Sequence, residues 1–263
     1  MSSPTRAGAA RVGAVVRKEL TEFRRNRFIL STMALFPVVF LISPTITILA
    51  SRAAADSPQL DRQVGVSLMF LMLIPVFVPT TIAASSVVGE REQGTLEPVL
   101  TTPIRREELL IGKALAILAP AVGLSYLVFG VFLGIVGLGA DPVIATAVWH
   151  APQLVAEVFY IPLLAAWAIW VGLAVSTKAG DTRVAQQLST LASLPPIALI
   201  ALMSFQVVRP TLAVALLFAG LLLVVDCAAY LVVARLFDRE RLVTGARTRT
   251  DAPHQRVASF RRS

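Results

Sequence analysis

Six apolar runs of membrane-crossing length constrain the fold more than any other feature of the sequence. A helix needs about 20 apolar residues to cross a bilayer, and its backbone must satisfy its own hydrogen bonds there. The chain is 56% hydrophobic and 15% charged, too few charges for a soluble protein of this size. The sequence therefore predicts an all-α integral membrane protein with six transmembrane helices, at about 28–50, 64–88, 114–138, 153–176, 187–207 and 211–236.

The distribution of lysine and arginine predicts how these helices are oriented. Of the 24 basic residues, 21 lie in the N-terminal segment, the connections between helices 2 and 3 and helices 4 and 5, and the tail. Only Arg52, Arg62 and Arg209 lie on the other side. By the positive-inside rule, both termini are expected in the cytoplasm of a multi-pass cell-membrane protein. The net charge of +8 is spread between the apolar runs, which argues against nucleic-acid binding.

The two ends of the chain differ from the membrane domain, residues 28–236. Residues 1–27 form a basic cytoplasmic N-terminus whose apolar residues recur at helical spacing: Val12, Val15, Val16, Leu20 and Phe23. This pattern favours an amphipathic helix lying in the membrane interface, with an ordinary basic juxtamembrane segment as the alternative. Residues 237–263 are expected to form a basic, disordered cytoplasmic tail.

Residues capable of catalysis are few and scattered. His150 lies in an outer loop, His254 in the tail, and Cys227 is the single cysteine, so no metal-ligand spacing or nucleophile–base pair is found. Gly112-Lys113 resembles the end of a phosphate-binding loop, but alanine follows where serine or threonine should hold magnesium. The sequence predicts no catalytic site, no metal site and no cofactor on this chain.

Two acids and two prolines inside the spans are candidates for other roles. Asp226 lies near the middle of the last span, where it either lines a cation or substrate path or is held neutral by a neighbouring helix. Glu157 lies near the outer end of its span and is expected to reach that interface without a functional role. Pro195 and Pro196 predict a hinge or a kink along a substrate path. A further pair, Gly130 and Gly134, has the spacing of a close helix contact, within the chain or between two copies.

The most charged internal segment lies between spans 2 and 3 and reads GEREQGTLEPVLTTPIRREELLIGK, Gly89–Lys113. Span 2 is expected to extend to Glu92 and to end at Gly94. Thr95 is then a suitable N-cap for a short helix. The pair Thr102-Pro103 repeats this signal, with the proline as the first residue of a helix that continues into span 3.

This segment resembles the signature of ABC-2 type transporter permeases. The six spans and the basic amphipathic N-terminal segment fit the same family. The resemblance implies that the short helix is a coupling helix docked on a separate ABC ATP-binding subunit, which would carry ATP and magnesium. It also implies a second permease copy, in a homo- or heterodimer within the lipid bilayer. The implied contact residues are Gly89, Glu90, Arg91, Glu92, Gly94, Thr95, Leu96, Glu97, Pro98, Val99, Leu100 and Pro103.

The expected function is therefore that of the membrane-spanning permease subunit of an ATP-driven exporter. The alternative is a self-contained secondary carrier or channel that uses Asp226, and a membrane scaffold is a third possibility. The outer connections are short, and the first, about residues 51–63, has no room for the large outer domain of some family members. The sequence leaves the substrate open.

Overall fold

All regular structure in the described part of the chain is helical. The computed structural model describes residues 4–52, 57–94, 104–149, 152–205, 207–208 and 211–236. These residues form α1 (Pro4–Arg25), α2 (Arg27–Leu49), α3 (Pro58–Met72), α4 (Ile74–Ser86), α5 (Val88–Glu92), α6 (Arg106–Gly139), α7 (Pro142–Trp149), α8 (Pro152–Lys178), α9 (Thr182–Ala192), α10 (Leu194–Ser204) and α11 (Leu212–Leu236).

Six helical stretches in these described residues are long and apolar enough to cross a membrane. The all-α, six-span prediction is thus confirmed. Spans 1, 3 and 6 are α2, α6 and α11, span 4 lies within α8, and two spans consist of consecutive helices. Span 2 is Pro58–Glu92, made of α3 to α5, and span 5 is Thr182–Ser204, made of α9 and α10.

Polar side chains determine where several helices begin. Asn26, Ser57 and Asp181 each accept a hydrogen bond from an N–H group in the first turn of the helix that follows, at 2.9–3.3 Å. Such caps satisfy donors that the helix itself leaves free. Span 2 therefore begins at Pro58, six residues before the predicted boundary, because Ser57 caps the helix there. A search for apolar runs does not detect the first residues of this helix, because the charged residues Asp61 and Arg62 are among them.

The double proline interrupts span 5 where a kink was predicted. The helix breaks at Ser193, and Pro195 and Pro196 occupy the first turn of α10, since a proline ring cannot donate the backbone bond that a continuous helix requires. The Ser193 hydroxyl lies 3.1 Å from the Thr80 hydroxyl of α4, which holds the break against span 2. The role of the two prolines in a substrate path stays a prediction.

One element was missed in the sequence. The outer connection between spans 3 and 4 contains the short helix α7, which had been expected to be a loop. The Asp141 carboxylate accepts from the Val143 N–H at 2.9 Å, and Pro142 begins the helix. The Asp-Pro pair before an apolar run is a helix-start signal that span length alone does not consider.

Span 2 lies at the centre of the bundle and packs most closely on span 4. A methyl group on Gly172 of α8 would lie 2.6 Å from the Cβ of Ala83 and 3.1 Å from the backbone nitrogen of Ala84 in α4. Two small residues thus allow the helix backbones to approach each other, as membrane helices commonly do. In contrast, α2 and α11 are peripheral and expose many large apolar side chains.

The glycine pair of span 3 faces away from its own chain. A Cβ added to Gly130 or Gly134 would meet no heavy atom within 4 Å in the described structure. Both positions are exposed on the surface of α6. The motif was predicted to form a close helix contact, either within the chain or between two copies. Among the described residues, no such contact within the chain is found.

The close approach of spans 2 and 4 gives the first testable prediction. Replacing Gly172 by alanine should destabilise the protein by about 1–3 kcal/mol, because the backbones of α4 and α8 must separate to admit the methyl group. Gly123→Ala, in an open position of α6, is the matched control and should be neutral or stabilising. Thermal unfolding in detergent, followed by tryptophan fluorescence, measures both. Equal melting temperatures would show that this contact is not required.

Candidate functional site

The basic end of the bundle is the end formed by α1, α5, the start of α6 and the turn between α8 and α9. It carries the polar segment that the sequence singled out. Helix α1 lies against the start of α6, and α5 lies between α1 on one side and the end of α8 on the other. The geometry of this end is set by ion pairs and by backbone hydrogen bonds to side chains.

A buried lysine is the centre of the ion pairs. The Lys113 side chain, on α6, is 1% exposed, and its Nζ lies 2.8 Å from Glu19 of α1 and 3.0 Å from Glu90 of α5. Lys18 adds a second cation, 2.6 Å from Glu90 and 3.3 Å from Glu19. An unpaired buried charge costs several kcal/mol of stability, so separating these lysines from these carboxylates would destabilise the fold. It connects α1 to the ends of spans 2 and 3.

Lys18 stays positively charged in this cluster. Burial by itself would lower the pKa of its ammonium group, but the charge of Glu19 and the hydrogen bond to Glu90 outweigh burial and raise the pKa above its ordinary value. Carboxylate oxygens of Glu19, Glu22 and Glu90 lie within 4.8 Å of one another, a spacing that can hold a metal ion. Here the ammonium groups of Lys18 and Lys113 supply the counter-charge.

Two further contacts attach α1 to α6. The Arg11 guanidinium donates from Nε at 2.8 Å and from Nη2 at 2.6 Å to the two oxygens of Glu108, a bidentate geometry. One turn further along, Val15 of α1 lies directly over Gly112, where an added Cβ would be 2.7 Å from the valine. The predicted N-terminal helix is present, and Val15 and Phe23 of its apolar stripe are buried against the protein. Its placement in the membrane interface stays a prediction.

On the opposite side, α5 is attached to the turn between α8 and α9. Arg91 donates to the carbonyl oxygens of Thr177 at 3.0 Å and Ala179 at 3.2 Å. The Glu92 carboxylate accepts from the backbone N–H of Thr182 at 3.0 Å and from its hydroxyl at 2.7 Å. Cations are favourable at helix C-termini and anions at N-termini, so both side chains suit the helix ends they contact.

The structure describes five of the twelve predicted coupling residues, and the other seven lie outside the described residues. Gly89, Glu90, Arg91 and Glu92 belong to α5, and Gly94 follows it with φ 69°, a left-handed conformation that suits glycine and ends the helix as predicted. The short helix that the sequence predicts after Gly94 lies outside the described residues. So do the other seven predicted coupling residues: Thr95, Leu96, Glu97, Pro98, Val99, Leu100 and Pro103.

The predicted start of the helix into span 3 is wrong. Helix α6 begins at Arg106, not at Pro103, and Ile104 and Arg105 precede it in non-helical conformation. The Glu108 side chain accepts the Arg105 N–H at 2.9 Å while also binding Arg11. This local bond caps the helix at Arg105, and Arg11 of α1 binds the same carboxylate.

The two acids inside the spans are both buried. Asp226 is 5% exposed and Glu157 2%, and within the described residues neither carboxylate has a hydrogen-bond partner. The expectation that Glu157 reaches the outer interface is wrong. It lies four residues before Ile161 and eight before Ala165, on the buried stripe of α8. The burial of Glu157 could have been predicted from this spacing. The burial of Asp226 could not, because few other residues of α11 are buried, and this helix packs mainly on α8.

Sequence reasoning missed Lys113 and Glu19 as a pair. Glu19 lies midway between Val15 and Phe23 at four-residue steps, so it belongs to the apolar face of α1. Lys113 stands just inside the long apolar run of span 3. A charge on each apolar face is the available signal for a buried ion pair, although it does not show which charges meet.

Comparison with known proteins identifies the family of the chain. A family model described as ABC-2 family transporter protein matches residues 13–241. The chain belongs to this family. The probable ABC transporter permease protein NosY of Stutzerimonas stutzeri is 34% identical over 137 residues, which are 46% of this chain and 48% of that protein. The match therefore spans about half the length of this relative. The chain is therefore a multi-pass membrane protein of the ABC-2 transporter family.

The buried lysine gives the second prediction. Lys113→Met should lower the free energy of unfolding by about 3–5 kcal/mol, because it removes the nearest cation from the buried Glu19 and leaves two carboxylates, Glu19 and Glu90, to share Lys18. Adding Glu19→Leu should restore much of the loss, since an apolar pair often replaces a buried ion pair at little cost, and Lys18 still binds Glu90. Unfolding by SDS in mixed micelles measures both variants. A double variant no more stable than Lys113→Met would contradict the pairing.

Proposed function

We propose that this permease transmits the work of a separate ATP-binding subunit to the membrane through residues 89–103, here named the coupling segment. The observation that carries this proposal is the ion-pair cluster around Lys113, which joins the two helices flanking the segment to each other and to α1. A force applied between Glu92 and Arg106 therefore acts on one connected unit. The sequence has no complete phosphate-binding loop, so ATP and magnesium belong to the partner, and this chain is not itself an enzyme.

The basic end faces the cytoplasm in this proposal. Of the 24 lysine and arginine residues, 21 lie in segments assigned to this side, and the ATP-binding subunit must be reached from the same side. Both termini are then cytoplasmic, and the protein resides in the cell membrane. Helix α1 lies beside the membrane surface, with the exposed Arg17, Arg24 and Arg25 available to lipid headgroups.

A second permease copy completes the transporter. Helix α2 exposes large apolar side chains along its length, and Gly130 and Gly134 present a smooth, unoccupied face on α6. Both features suit contact with another membrane helix as well as with lipid. ATP-driven closure of the two partner subunits would tilt spans 2 and 3 through the coupling segment and open a path outward between the permeases.

Docking of the coupling segment gives the third prediction. In the sequence, Leu96, Val99 and Leu100 have the spacing of an apolar edge on a short helix. The double variant Leu96→Asp, Leu100→Asp would remove this predicted edge, so the cognate ATP-binding subunit should no longer co-purify with the permease. Its melting temperature should stay near that of the wild type. Arg106→Asp adds an acid at an exposed position beside the segment and should leave the complex intact. Undiminished binding and ATP-coupled export in the double variant would refute the proposal.

The fourth prediction separates this function from a self-contained carrier or channel. Asp226→Asn keeps the shape of the side chain and removes its ability to carry a proton or attract a cation. In an ATP-driven permease, ATP hydrolysis and export by the complex should remain close to those of the wild type. Loss of transport with an intact complex and undiminished ATP hydrolysis would favour the alternative, in which Asp226 is an ion site.

A further inference from the structure

We propose that Arg91, Glu92 and Ser176, here named the α5 link, carry movement of the coupling segment directly to spans 4 and 5. This inference rests on the proposed function and extends it. The coupling segment is continuous in sequence with spans 2 and 3 only. The contacts of α5 show that it is also attached, by side chains, to the end of span 4 and the start of span 5.

Ser176 holds the junction between α4 and α5. Its Oγ accepts hydrogen bonds from the backbone N–H groups of Val87 and Val88, both at 3.0 Å. Ser176 is fully buried, so water does not replace this acceptor. Two backbone groups of span 2 thus depend on a side chain of span 4. A displacement of α5 away from α8 leaves both donors unsatisfied, which is costly in an apolar interior.

The Arg91 side chain binds the C-terminal end of span 4. Its two terminal nitrogens donate to two carbonyl oxygens, of Thr177 and Ala179, that the end of α8 leaves free. A planar guanidinium binds both oxygens at once, which fixes the direction as well as the distance of the contact. Lysine has one nitrogen at its tip and does not reproduce this fork.

Glu92 holds the N-terminal end of span 5. Each carboxylate oxygen takes one hydrogen bond from Thr182, the first residue of α9, at 3.0 and 2.7 Å. Asp181 caps the same helix, so the Glu92 contact is not needed to begin it. Glu92 joins the end of span 2 to the start of span 5. Transmission of movement between these spans explains this contact better than a role in starting α9 does.

The α9 helix borders a groove that contains several polar side chains. A groove of about 720 Å³ lies between α2 and α9, and Ser31, Thr32, Thr81, Gln186, Gln187 and Thr190 contribute its polar lining. Leu35 of α2 and Leu191 of α9 stand on its two walls, both largely exposed. Movement of the α8–α9 turn by α5 would change the width of this groove. The α5 link therefore predicts that ATP alters the distance between these two walls.

The test measures that distance in the complete transporter. In a Cys227→Ser background, which removes the single cysteine, spin labels are placed at Leu35→Cys and Leu191→Cys. The permease is reconstituted with its cognate ATP-binding subunit in lipid nanodiscs, and distances are recorded without nucleotide and with ATP trapped by vanadate. The test variant adds Arg91→Met and Glu92→Gln. The matched control adds Arg106→Met and Glu107→Gln, which are exposed on the other side of the coupling segment.

The expected result is an ATP-dependent distance change in the background protein and in the control. In the Arg91→Met, Glu92→Gln variant, the shifted population should fall about fivefold or more, the lower range of typical coupling between sites. Its melting temperature should be retained. Binding of the ATP-binding subunit should be retained too: the family resemblance implies Arg91 and Glu92 as contact residues, but in this structure their side chains bond to Thr177, Ala179 and Thr182 of the same chain. A merely structural role predicts lower stability with an undiminished distance change.

Each other outcome is decisive. An undiminished distance change in the Arg91→Met, Glu92→Gln variant overturns the proposal. Loss of partner binding in that variant also overturns it, because Arg91 and Glu92 would then act in docking. Absence of any ATP-dependent distance change in a background protein that still binds its ATP-binding subunit also overturns the proposal, because the α5 link requires that change. Failure of the background protein to bind an ATP-binding subunit refutes the proposed function instead. The two failures are thereby distinguishable.

Discussion

The contact of Lys113 with Glu19 and Glu90 is the interaction on which the basic end of this protein depends. A lysine buried this deeply is stable only beside carboxylates, and the two carboxylates come from separate helices. These ion pairs, together with the close contact of Val15 with Gly112, fix α1, α5 and the start of α6 relative to one another. In the proposed function, the end of the protein that transmits force is the end held together by charge.

The same logic explains the sequence Glu90-Arg91-Glu92. The three consecutive charged residues contact three different partners: Lys18 and Lys113, the C-terminus of α8, and the N-terminus of α9. Alternating charge suggests a solvated surface when it is read along the sequence. In the folded chain each of these charges satisfies a complementary charge or a helix end. The segment is polar because it joins other elements.

The spans could be predicted from sequence because apolarity and length determine them locally. The break at Ser193 followed as well, since Pro195 and Pro196 act on their own helix. The pairing of Lys113 could not, because its partner Glu19 lies on α1, about a hundred positions away in the sequence. The start of α6 was misplaced for a local reason: the Thr102-Pro103 signal was preferred to the Glu108 side chain that caps Arg105. Local patterns show that a charge is present on an apolar face, but the partner is set by tertiary packing.

The order in which the buried pair is synthesised has a consequence for biogenesis. Glu19 and Lys18 leave the ribosome long before Lys113, since domains form from the N-terminus during synthesis. Span 3 must bring a lysine close to the hydrocarbon core, where a charge is costly to insert. Glu19 on α1 is by then already present as its counter-ion. A chain that begins after Arg25 would leave Lys113 without Glu19, so we expect such a chain to assemble less stably.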